Sequence, residues 1–401
     1  MSVPLDRLYH YLGDCVNHDL LIYRWWPHGS RKLEDLAPLI APSQHQFENW
    51  LSAVFHDQEP LNFDFYTREQ IKDRIQFLYT QVNSTMLNEV ALDYYADQHI
   101  RGTTYFVNQY DITLLVHSEQ RSQEMEKFTQ KNFIPIYFWS HGLIARDWFR
   151  YAAHDPNLKF NASLIQKDFL IYNRAWAGTR EYRLAFAEKL VCEKLVNYCK
   201  TSFNPIDQQI HYTKHCFANK DFAIQNQQLE QHFVLNTHPA TASADYCGED
   251  YVISGMEVVL ETLFDDSRLH LTEKILRPIA CGKPFILVST VGSLQYLRNY
   301  GFETFDGLID ESYDLIGNSK DRLHAIVQEM KRIASLNDND KQQLYGKLHE
   351  IAERNKQRFF DELSDQIVKE YKTNMIQGLA LANQHRTGKH LANVIQLLKN
   401  N

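Results

Sequence analysis

The stretch that decides the fold runs from Leu269 to Asp314 and reads LHLTEKILRPIACGKPFILVSTVGSLQYLRNYGFETFDGLIDESYD. Its pattern predicts a helix, a strand, a second helix and a second strand. Thr272 is an N-cap residue, and Gly282 stands where a glycine ends a helix. The apolar run Phe285–Val288 is long enough only for a buried strand. A short helix then follows the polar turn around Gly292.

Two helix starts in this stretch, at Thr272 and near residue 293, follow small polar residues and are candidate anion sites. A helix start offers free backbone N–H groups and a partial positive charge, which suits phosphate. Lys274 and Arg277 are three residues apart, so they share one helix face and are predicted to clamp a diphosphate. Glu273 is predicted to accept hydrogen bonds from ribose hydroxyls. The alternative is a surface βα unit with solvated Lys and Arg side chains.

The composition limits the class of protein. The chain has 401 residues, of which 44% are hydrophobic and 23% charged, as in a soluble globular protein of two or three domains. The net charge of −8 argues against a generally basic, nucleic-acid-binding surface. The six cysteines contain no CxxC pair and are predicted to be reduced thiols. The N-terminus does not resemble a signal peptide, and no apolar run approaches the roughly 20 residues of a membrane span, so we expect a cytoplasmic protein.

Earlier in the chain, the pattern predicts strands at 19–26, 111–117 and 133–139, and helices at 66–82, 118–130 and 143–152. The alternation of strand and helix from 111 to 152 predicts parallel pairing in a doubly wound sheet. In such sheets ligands bind outside the carboxyl ends of the strands. This rule selects the residues that directly follow two strands, which are His117, Ser118, Glu119, Ser140, His141 and Gly142.

The next predicted strand, 168–172, ends in Asn173 and Arg174, and Arg180 follows closely. Cations are again placed at the carboxyl end of a strand, although ordinary surface arginines at a helix start give the same pattern. A long helix is predicted from there to about residue 200. Residues 201–245 are expected to form loops with short elements, including a possible strand at 232–235. If residues 250–264 are helical, Glu257 and Glu261 lie on one helix face. Beyond Asp314 the chain is predicted to be helical over 321–335 and 340–372, with a last helix over roughly 390–399.

Four segments resemble glycosyltransferases with two Rossmann-like domains, the GT-B architecture, and in particular the fucosyltransferase-related branch of bacteria and phages. They are FLIYNRAWAGTREYRLAF (169–186), EVVLETLFDDSRLHLTEKILRPIACGKPFIL (257–287), GSLQYLRNYGFETFDGLIDESYD (292–314) and IYFWSHGLIARDWFRYA (136–152). One departure is that Trp176–Thr179 stands where the branch has a basic, proline-containing turn.

The resemblance implies an α/β fold with two Rossmann-like domains facing a cleft and a helical C-terminal segment. The implied divisions are 1–165 for an acceptor-side domain, 166–345 for a nucleotide-sugar-binding domain and 346–401 for C-terminal helices. It implies a glycosyltransferase that moves a sugar from a nucleotide-diphosphate donor to a hydroxyl acceptor, either a glycan or a modified nucleic acid. The implied donor-binding residues are Asn173, Arg174, Arg180, Glu257, Thr272, Glu273, Lys274 and Arg277.

Enzymes of this architecture need no bound metal or other cofactor, since cations and helix dipoles stabilise the leaving diphosphate. Activation of the acceptor needs a general base within hydrogen-bond reach of a hydroxyl. The candidates are Glu119, His117, His141 and Asp147, of which Glu119 and His141 are the expected catalytic residues.

Two further functions remain open from the sequence. One is a phage-type transferase that glycosylates a hydroxylated base in DNA, against which the net charge of −8 counts. The other is a non-catalytic relative that binds a nucleotide or a partner protein. The sugar, the acceptor, the stereochemical course and the oligomeric state are not specified by the sequence.

Overall fold

The structure is a computed structural model of the full chain. It describes residues 20–25, 50–55, 114–118, 133–173, 175–235, 245–266 and 269–385, together with positions 72, 76, 86 and 88–92. The chain divides into two compact units. One contains His141–Gln366, and the other contains the described residues of Pro4–Ser140 and Ile367–Asn401. The divisions expected at residues 165 and 345 stay predictions.

The unit that contains Pro4–Ser140 is built on a four-stranded parallel sheet. Its strands follow one another in chain order, and they are β1 (Leu20–Trp25), β2 (Trp50–Phe55), β3 (Leu114–Ser118) and β4 (Phe133–Tyr137). The register pairs Leu114 with Phe133. The parallel pairing predicted from the strand and helix alternation is confirmed, while β2 was not predicted.

The unit that contains His141–Gln366 is built on a five-stranded parallel sheet with the order β11-β10-β5-β6-β9. Its strands are β5 (Lys167–Ile171), β6 (Cys199–Phe203), β9 (Val234–Leu235), β10 (Ser254–Leu260) and β11 (Phe285–Val288). A two-stranded antiparallel hairpin, β7 (Ile206–Asp207) and β8 (Ile210–His211), follows β6. The chain is thus an α/β protein with a parallel sheet of five strands.

Helices connect and cover these strands. They are α1 (Ser140–Trp148), α2 (Tyr182–Cys192), α3 (Gly248–Val252), α4 (Glu273–Ala280), α5 (Ser293–Asn299), α6 (Ser319–Ala334), α7 (Asp338–Asp361) and α8 (Leu363–His385). No helix within the described ranges is long and apolar enough to cross a membrane. In the unit that contains β4, the Asn374 side chain donates a hydrogen bond to the carbonyl of Tyr137 at 2.7 Å, and the rings of Tyr371 and Phe138 meet edge to face.

Two parts of the predicted secondary structure are wrong. The second strand predicted at the end of the 269–314 stretch is not formed, because this described part of the chain holds only an isolated bridge between Asp306 and Ile309 and a 3₁₀ helix at Ser312–Leu315. Residues 254–260, for which the sequence left a helix open, form a strand, and all seven are buried. The strand was not predicted because Glu257 places a charge in its apolar pattern. In the folded chain this charge is paired with Arg277, which is 20 residues away. The long helix predicted to reach residue 200 ends at Cys192, and Cys199 begins β6 instead. The helix 66–82 and the last helix, 390–399, lie largely or wholly outside the described residues.

A glycine in β10 allows helix α7 to pack closely on the sheet. A Cβ atom at Gly255 would lie 2.6 Å from the ring of Tyr345 and 3.0 Å from the carbonyl oxygen of Asp168. The Tyr345 hydroxyl donates a hydrogen bond to Asp168, and the Lys341 ammonium pairs with the same carboxylate at 2.7 Å. A side chain at position 255 would therefore push α7 away from a buried, charge-assisted network.

We predict that Gly255→Ala lowers the free energy of unfolding by about 1–3 kcal/mol, as expected for overpacking in a core. The measurement is urea unfolding followed by circular dichroism.

The matched control is Gly346→Ala. Gly346 lies within α7, and an added Cβ there meets no atom within 4 Å. Since alanine is the better helix former, this variant should gain up to about 1 kcal/mol. Equal effects of the two substitutions would contradict the close approach at Gly255.

Candidate functional site

The candidate site lies at the carboxyl edge of the five-stranded sheet, where the strand order reverses. From β5 the chain moves to β6 and β9 on one side, and then returns to place β10 and β11 on the other side. The reversal falls between β5 and β10, which pair in parallel with Met256 opposite Phe169. Ligands of open α/β sheets bind in the crevice at such a reversal. The segments at this point are those that follow Ile171 and Leu260.

A buried arginine joins these two segments. The Arg183 guanidinium, on α2, donates hydrogen bonds to the carbonyl of Ala175 at 2.6 Å and to the carbonyl of Leu260 at 2.7 Å. The Tyr182 hydroxyl donates to the carbonyl of Glu261 at 2.6 Å, and burial raises the pKa of Tyr182 to about 12. Arg183 therefore has a structural role here, holding the chain after β5 against the end of β10.

The start of helix α4 holds a carboxylate of the chain itself. Glu261 directly follows β10 and is fully buried. Its carboxylate accepts hydrogen bonds from the backbone N–H of Thr272 at 3.0 Å, the hydroxyl of Thr272 at 2.8 Å and the backbone N–H of Ile275 at 3.3 Å. Thr272 is the N-cap, as predicted, and its hydroxyl also accepts from the backbone N–H of Lys274.

The start of helix α5 is occupied in the same way. The carboxylate of Asp314 accepts a hydrogen bond from the backbone N–H of Leu294, with 3.2 Å to each oxygen. Burial raises the pKa of Asp314, while the backbone N–H bonds act in the opposite direction. Thus the two helix starts predicted to hold an external anion both hold an internal one. Their N–H groups do not form an open phosphate cradle in this structure.

Five polar side chains converge beside the start of α4. The Lys274 ammonium donates hydrogen bonds to the carboxylate of Glu273 at 2.8 Å and to the hydroxyl of Thr272 at 3.1 Å. The other oxygen of Glu273 lies 3.9 Å from Nε2 of His141. The imidazole of His141 also meets that of His270 edge to face, with 5.3 Å between ring centroids. The structure therefore brings one predicted catalytic residue to two predicted donor-binding residues.

The remaining predicted residues divide into two groups. Asn173 lies two residues after the end of β5 and is 6% exposed, and its Oδ1 has no hydrogen-bond partner in the part of the chain that the structure describes. Arg180 is half-buried in a 3₁₀ turn, and its charge lowers the pKa of the neighbouring Tyr182 hydroxyl against the larger effect of burial. Arg174 and Glu119 lie outside the described residues.

The structure separates the two cations that the sequence places on one helix face. Arg277 is 5% exposed and forms an ion pair with Glu257, which is fully buried. The Tyr251 hydroxyl also donates to Glu257, and the Arg277 guanidinium lies 4.5 Å from the centre of the Tyr172 ring. Lys274 instead remains at the helix start. Arg277 is therefore engaged in an internal ion pair with Glu257, and the clamp of Lys274 with Arg277 on a diphosphate stays a prediction.

The sequence did not identify as site residues three residues that shape this edge, which are Glu261, His270 and Asp314, and it did not reveal the structural role of Arg183. A local signal existed for one of them, because Glu261 directly follows an apolar run that ends a buried strand. The partners of the others are distant in sequence, as for Arg183 and Leu260, which are 77 residues apart. Contacts between residues so far apart do not produce a periodic pattern in the sequence from which they could be predicted.

Comparisons of this chain with protein-family models, with curated proteins and with solved structures found no match. No group of three or more His, Cys, Asp or Glu side chains that could hold a metal ion occurs among the residues that the structure describes.

A groove of about 1060 Å³ lies elsewhere on the unit that contains this sheet. One wall comes from α1 and the turn after it, with Arg146, Arg150 and His154, and the other comes from residues 349–361 of α7. His349, in the second wall, bonds to the backbone of Gly282, which precedes β11. The groove therefore adjoins the amino edge of the sheet, whereas ligands are expected at the carboxyl edge. Its walls carry charges of both signs and do not select one ligand class.

The protonation of His349, in the second wall of the groove, is predicted to lower the stability of the fold at acid pH. Burial, and then the charge of Lys283, lower the pKa of His349 to about 4. In the unfolded chain the pKa of a histidine is about 6.5, so the unfolded state binds this proton first as the pH falls. The contribution of His349 to stability is complete above about pH 6.5 and is lost progressively toward pH 4. We predict that His349→Gln loses less unfolding free energy between pH 7 and pH 4.5 than the wild type.

The comparison uses urea unfolding at both pH values, with His324→Gln as the control because His324 is exposed. If the His349→Gln and His324→Gln variants lose the same amount of free energy, the burial effect at His349 is refuted.

The internal carboxylate at α4 predicts a gain of anion binding when it is removed. Glu261→Ala should lower the free energy of unfolding by about 1–3 kcal/mol, because buried N–H groups lose their acceptor. The freed helix start should then take an external anion. We predict that inorganic phosphate raises the Tm of Glu261→Ala more than that of the wild type at matched ionic strength.

Asp310→Ala provides the control, since Asp310 accepts a backbone N–H bond from Ser312 in a turn rather than at the start of α4. If phosphate raises the Tm of the wild type and both variants equally, the Glu261 carboxylate does not occupy an anion-binding site.

Proposed function

We propose that the chain is a glycosyltransferase that moves a sugar from a nucleotide-diphosphate donor to a hydroxyl acceptor. The observation that carries the proposal is the convergence of His141, Glu273 and Lys274 next to the reversal of strand order. A cation, a carboxylate and an imidazole are the groups that diphosphate departure and hydroxyl activation require. The resemblance of residues 257–287 to the Thr-Glu-Lys helix of the fucosyltransferase-related branch supports the same assignment.

Lys274 is the proposed partner of the donor diphosphate. Its side chain is 13% exposed, and bonds to Glu273 and Thr272 hold the ammonium at the start of α4. Because Glu261 already occupies the backbone N–H groups of this helix start, the positive charge offered to a ligand is that of the lysine side chain. A fixed cation stabilises the negative charge that develops on the leaving diphosphate.

His141 is the proposed general base. In the proposed step the acceptor oxygen forms a bond to the anomeric carbon while the bond from that carbon to the diphosphate breaks. The hydroxyl proton passes to the imidazole, and the electron pair of the broken bond leaves with the diphosphate. The Glu273 carboxylate, 3.9 Å from Nε2, stabilises the imidazolium that forms. This role is additional to the contact with ribose hydroxyls expected of Glu273.

Asn173 and Arg180 complete the proposed donor site from the β5 side. Asn173 offers a carboxamide whose oxygen is buried and available to a ligand donor such as a hydroxyl. Arg180 adds a positive charge close to the same strand end. A nucleotide sugar presents both hydroxyls and phosphates, so these groups match its chemistry.

A non-catalytic nucleotide-binding relative is the second candidate. The observation that favours it is the occupation of both helix starts by Glu261 and Asp314, which leaves phosphate binding to side chains alone. Such a protein would bind the donor without transferring or hydrolysing it.

One set of variants tests the proposal. We expect one nucleotide-sugar series to raise the Tm of the wild type, since a ligand at ~100 times its Kd stabilises by about 2.7 kcal/mol. Lys274→Ala should lose this shift, because the diphosphate loses its cation. His141→Asn should keep the shift but transfer or hydrolyse the donor about 10²–10⁴ times more slowly.

Lys331→Ala is the control for the loss of a lysine, because Lys331 pairs with Glu193 in an exposed ion pair on α6. Unchanged donor binding in Lys274→Ala would contradict the proposed site. Donor binding by the wild type without any turnover would favour the second candidate.

A further inference from the structure

The β7–β8 hairpin supplies a carboxylate to the loop that follows β5. Asp207 ends β7, and its Oδ2 accepts hydrogen bonds from the backbone N–H groups of Trp176 and Ala177, both at 2.7 Å. The indole N–H of Trp176 donates to the carbonyl of Asn204 at 2.8 Å. Three hydrogen bonds thus fix Trp176 and Ala177, which lie three and four residues after Asn173.

The same segment is held from its other side. The Arg183 guanidinium donates to the carbonyl of Ala175 and to the carbonyl of Leu260 at the end of β10. Residues 175–177 are therefore hydrogen-bonded both to Arg183, which also contacts the end of β10, and to Asp207 of the hairpin. The position of the carboxyl end of β5 depends on both contacts.

The turn that joins β7 and β8, directly after Asp207, has an unfavourable backbone conformation. Gln208 and Gln209 have φ angles of 46° and 65°, in the left-handed region. The left-handed conformation is unfavourable for residues other than glycine, and two-residue hairpin turns of this kind favour Asn-Gly. Strained backbone of this kind persists where the surrounding contacts determine it, and it concentrates at functional sites. Asp207 directly precedes this turn, and its carboxylate accepts the two hydrogen bonds from Trp176 and Ala177.

We propose that Asp207 is a positioning residue for donor binding, because it holds the loop that carries the proposed ligand groups at the carboxyl end of β5. The inference rests on the proposed function, since the donor is a nucleotide sugar bound at this edge. Asp207 acts through backbone N–H groups of Trp176 and Ala177. A loop displaced by about 1 Å can cost a bound substrate much of its productive geometry.

The chain offers a matched control for the loss of such a carboxylate. Glu188, on α2, also accepts hydrogen bonds from two consecutive backbone N–H groups, those of Gln225 at 2.6 Å and Asn226 at 2.7 Å. These residues are not in the segments that follow β5 and β10. Glu188→Ala therefore removes the same chemistry from the same unit without touching the proposed site.

The experiment measures the dissociation constant of the nucleotide sugar selected by the wild type, for Asp207→Ala, Asp207→Asn and Glu188→Ala. The unfolding midpoint of each variant is recorded in parallel. We expect Asp207→Ala to bind roughly tenfold more weakly or worse. Asp207→Asn, which keeps one acceptor oxygen, should lie between Asp207→Ala and the wild type. Glu188→Ala should lose comparable thermal stability and bind within twofold of the wild type.

The outcomes separate the two proposals. Wild-type affinity in Asp207→Ala, or equal weakening in Asp207→Ala and Glu188→Ala, would overturn the positioning role while the proposed function stands. If the wild type binds no nucleotide sugar, the proposed function fails and the inference falls with it.

Discussion

The carboxylate of Glu261 is the contact on which the carboxyl edge of the second sheet depends. Glu261 directly follows β10, and its carboxylate accepts hydrogen bonds from the backbone N–H groups of Thr272 and Ile275. These bonds fix the start of α4 relative to the end of β10. Because the N–H groups of this helix start are already paired, the dipole of α4 acts first on a protein carboxylate. In the proposed function, side chains such as that of Lys274, rather than the N–H groups of this helix start, therefore bind the donor. The internal anion thus determines both the geometry of the site and the kind of contact available to a ligand.

The other side of the reversal is also ordered by contacts between residues that are distant in the sequence. Arg183 reaches from α2 to the carbonyl groups of Ala175 and Leu260, and Asp207 reaches from the hairpin to the loop between them. These bonds place the end of β5 against the end of β10 without using the side chain of Asn173. Among the residues that the structure describes, the polar groups that these bonds leave at the edge include those of Asn173, Arg180 and the cluster around Glu273. The residues that fix the backbone at this edge are thus different from those proposed to bind the donor.

The sequence predicted the elements whose signals are local. The N-cap at Thr272, the strand Phe285–Val288 and the glycine at position 282, which has a φ of 64°, all follow from short-range chemistry and are confirmed. Strand β10 was missed because a buried glutamate interrupts its apolar pattern, and its compensation by Arg277 depends on the folded chain. For the same reason the sequence assigned Arg277 to a ligand, since the spacing of charges along a helix does not reveal which face is buried.

The measurement that tests the central claim most directly is hydrogen–deuterium exchange of the wild type with and without each nucleotide sugar. A donor bound at the reversal should slow the exchange of backbone amides in residues 175–181 and 269–276, while amides of residues 349–361, along the separate groove, should be unchanged. Protection confined to the groove, or no protection by any nucleotide sugar, would contradict a donor site at the carboxyl edge of the five-stranded sheet.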